Sequence, residues 1–391
     1  MDMKAILLIG VPQPGLGASG AAPECVAGVP IASLDVLGKP LIQRSAEHLL
    51  ASGVSNVAII ANQEAGGSGI QRANLPHEIT YSAVPCAQLW RECESAFSDF
   101  AESGAEVVIV WRMGAYAEIN VDDVVQFHLD QRGRVTPVCD ADGKSLDIFV
   151  ISGSRRNDAA FLFRHQLGET RMPSIEYRFS GYLNLLRSGA DLRRLTRDAL
   201  QLKNNIRPIG KEIRPGVWLG QGARIQKGAR VLAPAYIGAY AKLRPSAVVT
   251  RCSAVEHHSE IDCGTVVENS NVLPYSYVGA GLDVVEAVVG HRTLVPLRRD
   301  VEVEITDPKL IGMASEHAPV RAMASMVGLF AFLPKQMVRG LAGSHSEPAK
   351  SLPEAVQTPS AALHEPAALQ PAAEPTQFPS NMVVARRYGN E

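Results

Sequence analysis

The second half of this 391-residue chain obeys a strict six-residue rule. Ile213, Leu219, Ile225, Val231, Ile237, Leu243, Val249, Val255, Ile261, Val267 and Leu273 are all aliphatic, each six positions after the last. Two residues before most of them stands a small side chain: Ala223, Ala229, Ala235, Ala241, Ala247, Ser253, Ser259 and Thr265. Turn formers recur three positions after the aliphatic, at Gly222, Gly228, Pro234, Ser246, Gly264, Ser270 and Ser276. A strand turns every second side chain to one face, and a turn every six residues folds such strands into a three-sided coil. The pattern therefore predicts a parallel β-helix over 207–300, with the aliphatic residue pointing into the shaft and the small one packed beside it. Each coil buries its core only against the next, so the domain needs several stacked coils and a cap.

The first part of the chain, 1–200, follows another rhythm. Ala5–Ile9 is a short apolar run that reads as a buried strand, as do Val57–Ala61 and Val107–Trp111. Between them Leu41, Ile42, Ala46, Leu49 and Leu50 share one helical face, with Gly53 placed to cap its end. Leu89, Trp90, Cys93, Ala96, Phe97 and Phe100 form a second amphipathic face, and Val121–Leu129 a further helix beginning near Asn120. Strands alternating with helices imply a parallel sheet covered on both faces, an α/β/α layer arrangement of Rossmann-like type. In such folds the ligand sits beyond the carboxyl ends of the strands.

That places the loop after the first strand, Gly10 to Pro30, at the expected ligand site. It contains Gly15, Gly17 and Gly20 in a G-x-G-x-x-G spacing, and with Gly10 these are the ligand-binding candidates of the loop. A dinucleotide fingerprint needs the glycines to run straight from strand into helix. Here Pro12 and Pro14 precede them and Pro23 and Pro30 follow, which fits a surface loop better.

MKAILLIG at the start, VLGKPLIQRSAEHLLASGVSNVAII over 36–60, VVIV over 107–110, INVDDVVQFHLDQRGRVTPV over 119–138 and SGYLNLLRSGADLRRLTRDAL over 180–200 stand in an order worth naming. The chain resembles the sugar-1-phosphate nucleotidyltransferases, or nucleotide-sugar pyrophosphorylases, over most of 1–300. The resemblance implies a nucleotidyltransferase-like α/β domain followed by a left-handed β-helix used for oligomeric contacts. It also implies transfer of a nucleoside monophosphate to a sugar 1-phosphate with release of pyrophosphate.

That chemistry crowds anions together, so the site needs cations and a metal to offset charge in the transition state. By resemblance, an Arg in the glycine loop, a Lys after a Pro before the "VLGKP" segment, and two Asp residues holding Mg²⁺ supply them. This chain departs at each position. No Lys or Arg lies between Lys4 and Lys39; the expected Lys falls on Ile31, one Asp on Gly114, and the other on Asn184 or Leu185. The catalytic positions are thus degenerate, and a metal is expected only if the site is displaced. Lys39 and Arg112 are the remaining cationic candidates for a phosphate, Lys39 reading as a turn residue and Arg112 equally as a salt-bridge partner. Asp122 and Asp123 fit favourable charge at a helix start better than a metal pair.

Hexapeptide β-helices also host acyltransferases that use a His as general base, for which His257 and His258 are the candidates inside the repeat. The bland alternative is a pair of corner residues facing solvent. Residues 301–343 read as a capping or interfacial helical segment, including the uncharged stretch from Ala322 to Pro334, which is shorter than the ~20 residues of a membrane span. Residues 344–391 form an Ala/Pro-rich tail with prolines at 348, 353, 359, 366, 371, 375 and 379, which reads as a semi-extended linker ending in a candidate docking peptide, Met382 to Tyr388.

Charge sets further bounds. With 38 basic against 40 acidic residues, nothing attracts nucleic acid or an anionic membrane wholesale. Cys25, Cys86, Cys93, Cys139, Cys252 and Cys263 are scattered without a CxxC pair, which suggests reduced thiols in a cytoplasm. Three readings follow. The first is a non-catalytic pyrophosphorylase relative that binds a nucleotide, sugar nucleotide or protein partner in polysaccharide or glycoconjugate assembly. The second is an active nucleotidyltransferase with Mg²⁺ and a displaced site. The third is a hexapeptide acyltransferase.

Overall fold

The structure, a computed structural model, describes residues 1–9, 25–26, 29–63, 75–165, 175–299 and 301–315. The central strand β1 (Met3–Ile9) is buried along its whole length. Its side chains divide between two cores: Ala5, Leu7 and Ile9 join one, Ile6 and Leu8 the other. A strand covered on both faces has no solvent side, so its sequence is continuously apolar rather than alternating. Helix α1 (Leu41–Ala51) follows and ends at Ser52, after which Gly53 takes φ +89° and its N–H returns to Leu50 O at 3.1 Å. The chain then runs through β2 (Asn56–Asn62), β3 (Ile79–Val84), α2 (Leu89–Glu102), β4 (Val107–Arg112) and α3 (Val121–Asp130). It continues through β5 (Val135–Cys139), β6 (Ser145–Ser152), α4 (Arg156–Arg164), β7 (Tyr177–Arg178) and α5 (Gly189–Leu200).

The sheet order is β7-β5-β6-β4-β1-β2-β3. Residues of α1 and α3 share one core with the sheet, and residues of α2 and α4 the other, so both faces are covered. The sheet is mixed rather than all parallel as expected: β6 runs antiparallel to both β4 and β5. The physical reason is the five-residue connection from Asp140 to Lys144, closed by Asp140 N–H donating to Lys144 O at 2.9 Å. A hairpin this short can join only antiparallel strands.

From Val217 the chain winds through three strand columns. One contains Val217–Leu219, Ala235–Ile237, Ser253–Val255, Asn271–Val272 and Ala287–Gly290; a second contains Arg224–Ile225, Lys242–Leu243, Glu260–Ile261 and Ser276–Val278. The third contains Arg230–Val231, Val248–Thr250, Val266–Glu268 and Asp283–Val285. Neighbours in each column are parallel, so every three strands complete one coil. Val231, Ile237, Leu243, Val249, Val255, Ile261 and Val267 fill the shared interior, as the spacing predicts.

Two residues of the six-residue rule fall elsewhere. Ile213 is 41 % exposed, because Lys211–Arg214 is an antiparallel lead-in to Val217–Leu219 that lies outside the first coil. Leu273 belongs to a different cluster, packed toward the α/β domain. The coil shortens: Ile237 pairs with Val255 but Val255 pairs with Val272, a step of 17 residues instead of 18. One corner loses a residue. Arg251 and Cys252 both have positive φ there, whereas the next coil has Asn269 alone. Beyond that corner Val272, Val278, Val284 and Val289 point inward, and Ser270 and Ser276 are buried beside the shaft instead of turning corners.

The small residue changes chemistry with the coil length. Where successive coils are 18 residues apart it is Ala235, Ala241 or Ala247; where they are 17 apart it is Ser253, Ser259, Thr265 or Ser270. Each hydroxyl accepts from the backbone N–H seventeen residues on: Ser270, Ser276, Leu282 and Ala287 respectively, at 3.2, 3.3, 3.3 and 3.0 Å. Ser259 and Thr265 also donate to the carbonyl fourteen residues on, Leu273 and Gly279. The hydroxyls of Ser253 and Ser270 lie nearer the carbonyls of Thr250 and Glu268, at 2.5 and 2.7 Å, than those of Val267 and Val284, at 3.2 and 3.3 Å. A buried N–H without an acceptor costs about 1–3 kcal/mol. The hydroxyl ladder meets that demand inside an otherwise aliphatic shaft.

The coil stack ends in antiparallel strands. Thr293–Pro296 folds back on Ala287–Gly290, and Ile311–Met313 lies antiparallel to Ser276–Val278. Residues 301–315, at the start of the segment expected to be helical, thus contain two short strands, Val303–Glu304 and Ile311–Met313. The apolar stretch 322–334, the tail 344–391 and the candidate docking peptide lie outside the described residues, as do Gly10, Gly15, Gly17 and Gly20.

Candidate functional site at the sheet edge and the domain seam

The parallel strands β1, β2 and β4 end within a residue or two of one another at Ile9, Asn62 and Arg112, Ile9 pairing with Ala61 and Leu8 with Arg112. Arg112 points from that edge, and its guanidinium is engaged: Nε and Nη2 both donate to Asp147 Oδ2, at 3.0 and 2.7 Å. Asp147, on the antiparallel neighbour β6, thereby pairs with one of the two cationic candidates.

The other positions marked by the resemblance are built into the protein interior or its turns. Ile31 is 1 % exposed and packs in the core between the α/β domain and the coil stack. Gly114 lies in the turn after β4, its N–H donating to Arg112 O at 2.7 Å. Asn184 is fully buried; its Nδ2 donates to Asp191 O at 3.0 Å and its Oδ1 accepts from Leu186 N at 3.3 Å. Its amide thus ties a turn to the first turn of α5. Lys39 Nζ donates to both carboxylate oxygens of Glu47 on α1 at 2.8 Å. At α3, Asn120 Nδ2 donates to Asp123 Oδ2 at 2.8 Å, so this carboxylate too has a local partner. Magnesium would need carboxylates, and Gly114 and Asn184 supply none, so the described residues at these positions do not fit the metal. Among the described residues no group of three or more His, Cys, Asp or Glu side chains is arranged to hold a metal ion.

The densest polar chemistry lies where the two folds meet. The turn Val36–Lys39 closes with Val36 N–H donating to Lys39 O at 3.0 Å, and Leu37 and Gly38 both take positive φ. Its amides point outward and are claimed from the coil stack: Leu37 N donates to Glu256 Oε1 at 2.8 Å and Gly38 N to Glu256 Oε2 at 2.9 Å. Its carbonyls are claimed from α1, where Arg44 donates to Val36 O and Leu37 O at 2.8 and 3.0 Å. Asp35, 4 % exposed in its side chain, meets His257 Nε2 at 3.0 Å. Nδ1 of His257 faces Nδ1 of His258 at 3.0 Å, and the His258 ring stacks on Tyr275 with Tyr240 on its other flank, centroids 4.9 and 5.0 Å away. Burial and the charge of Asp35 push Glu256 up from the usual carboxylate range.

His257 is therefore not a solvent-facing corner residue. The buried carboxylate of Asp35 draws it into the seam, while His258, with φ +57°, keeps the exposed corner position. A second clasp lies alongside. Arg193 of α5 is buried and donates to Asn269 O at 2.8 Å, Asn269 Oδ1 at 2.7 Å and Arg251 O at 3.2 Å, the shortened corner of the coil stack. Asp35, Arg44, Arg193 and Glu256 were not singled out by their sequence pattern. The only signal was a carboxylate beside two histidines in AVEHHSEID.

The chain matches no protein-family model and no curated protein. No helix among the described residues is long and apolar enough to cross a membrane.

Proposed function

We propose that the chain is a non-catalytic relative of the sugar-1-phosphate nucleotidyltransferases, with a coil stack of the left-handed hexapeptide type. It binds a nucleotide, a sugar nucleotide or a protein partner, and serves polysaccharide or glycoconjugate assembly in the cytoplasm. One observation carries the reading. Where the resemblance expects charge for a triphosphate and its magnesium, Ile31 is core, Asn184 is a buried turn tie and Gly114 is bare backbone. Losing even one preorganised charge typically lowers a rate by ~10²–10³.

The test is a pair of measurements on the full chain. Incubation with nucleoside triphosphates, hexose 1-phosphates and Mg²⁺ should release no pyrophosphate, and release would establish instead the displaced-site enzyme. Calorimetry with nucleotides and sugar nucleotides should show binding, and silence across the panel would leave only the protein-partner role.

The acyltransferase reading draws on the histidines, and the geometry of His257 gives it little support. A general base needs a free nitrogen within hydrogen-bond reach of the substrate. In His257 Nε2 is taken by Asp35 and Nδ1 by His258. That reading predicts acyl transfer abolished by His257→Ala or His258→Ala, and no acyl transfer by the unsubstituted chain would close it.

A further inference from the structure

We propose that Asp35, Glu256 and His257 form one proton-binding site whose occupancy governs how firmly the Val36–Lys39 turn is docked on the coil stack. The site draws on both folds. Asp35 is contributed by the segment before α1, Glu256 and His257 by one corner of the coils, and the amides of Leu37 and Gly38 are the groups being held.

Charge counting shows why a proton is needed. The groups facing the cluster are Arg44 from α1, Tyr116 from the strand after β4, Tyr236 from the coil face, and His258 and Lys242 at the exposed corner. Burial and the neighbouring carboxylates keep both phenols protonated in the neutral range. With Asp35 and Glu256 ionised and Arg44 charged, the buried groups carry one net negative charge. A proton on His257 brings the count to zero. The proton also completes the hydrogen bonds: Nε2–H donates to Asp35 and Nδ1–H to the lone pair of His258, which stays neutral. His258 cannot hold a second one easily, since burial, His257 and Lys242 all lower its affinity.

Burial alone would lower the basicity of His257, but its bond to Asp35 and the charges of Asp35 and Glu256 override this and raise it above the ordinary 6.5. Glu256 is raised as well, by burial and by Asp35, with the two amides pulling back. Both groups bind protons more tightly when the turn is docked than when it is free. Docking is therefore at full strength below their ordinary values and is lost as pH rises through the raised ones. The sensitive window opens at 4.5 for Glu256, whose proton affinity is pushed up to about 8, and at 6.5 for His257, and it extends to the alkaline side.

The experiment follows amide hydrogen exchange of Leu37 and Gly38 in the full chain between about pH 6 and about pH 9, corrected for intrinsic exchange. Protection should fall with pH, by about tenfold for each unit by which docking raises the affinity for the proton. In His257→Gln the side-chain amide still donates to Asp35 but does not titrate, so the slope should become shallower, leaving the contribution of Glu256. Protection independent of pH in the wild-type chain, or an unchanged slope in His257→Gln, overturns the proposal. Imidazole titration by NMR gives an independent check that needs no substitution: His257 should titrate above His258, and the reverse order would also overturn it.

Discussion

Ser253→Ala tests the hydroxyl ladder at its most exposed point energetically. Ser253 Oγ is the acceptor for Ser270 N–H at 3.2 Å and donates to Thr250 O at 2.5 Å, with Val267 O at 3.2 Å, and both serines are fully buried. The substitution removes one oxygen and leaves almost no cavity, so packing contributes little. What remains is a buried N–H that has lost its acceptor, worth ~1–3 kcal/mol. Ser259→Ala should cost less, because Ser276 N–H can fall back on Leu273 O at 3.4 Å in addition to its bond to Ser259 Oγ at 3.3 Å. Global unfolding of a chain with two folds is a poor readout. Amide exchange at Ser270 is direct: its protection should fall by roughly 5- to 150-fold in Ser253→Ala. Protection at Ser270 that stays within twofold of wild type would show that the hydroxyl is a filler and that the ladder does not hold the short coils together.

Three further substitutions probe the seam and the degenerate positions. Gly38→Ala should destabilise the docking by more than the ~1–2 kcal/mol of left-handed backbone strain, since a Cβ there would lie 2.2 Å from Tyr236 Oη; adding Tyr236→Phe should restore part of the loss in a thermal melt, and no rescue would put the strain elsewhere. Ile31→Lys, which reinstates the charge of the resembling enzymes, should lower stability by ~2–5 kcal/mol because the position is seam core, without eliciting pyrophosphate release; a stable, active variant would contradict the assignment of Ile31 to the interior. Asn184→Asp should lose the donation to Asp191 O and set a carboxylate against a carbonyl in a fully buried site, costing at least ~2 kcal/mol at neutral pH. Burial raises the introduced carboxyl's affinity for its proton, so the deficit in Asn184→Asp should shrink on acidification, and a deficit that grows instead would refute the cause given.

The coil stack was legible because its period is a count of residues, and the count directly encodes three sides. The shortened corner was not, because removing one residue between Val267 and Val272 leaves Leu273 aliphatic and in step by number while it faces the other fold. The change from Ala235, Ala241 and Ala247 to Ser253, Ser259 and Thr265 was visible in the sequence, but only the backbone reveals that the hydroxyls accompany 17-residue coils. In the α/β domain β1, β2 and β4 were plain from their apolar runs. The antiparallel β6 was missed, since Ser145–Ser152 mixes polar and apolar residues and no helix precedes it. The seam could not be read at all: Leu37 and Glu256 are more than two hundred positions apart, and neither breaks its local pattern.

The seam also changes how the degenerate positions are understood. In an enzyme that admits a triphosphate, the turn before α1 would have to leave its surroundings open to a highly charged ligand. Here Glu256 takes the amides of that turn, Arg44 takes its carbonyls, Lys39 is turned onto Glu47, and Ile31 packs beneath it with Leu34, Leu41 and Tyr236. Two amides of the turn join it to the coils, and its carbonyls and Lys39 are held within the α/β domain by Arg44 and Glu47. A carboxylate such as Glu256 beside the same amides that could meet a phosphate would repel one, as like charges do at short range. In the proposed reading, the absence of a cation at Ile31 and of carboxylates at Gly114 and Asn184 goes together with these contacts. The two observations agree in that reading, because a turn held by Glu256 and Arg44 has no need of the charges that a substrate would require.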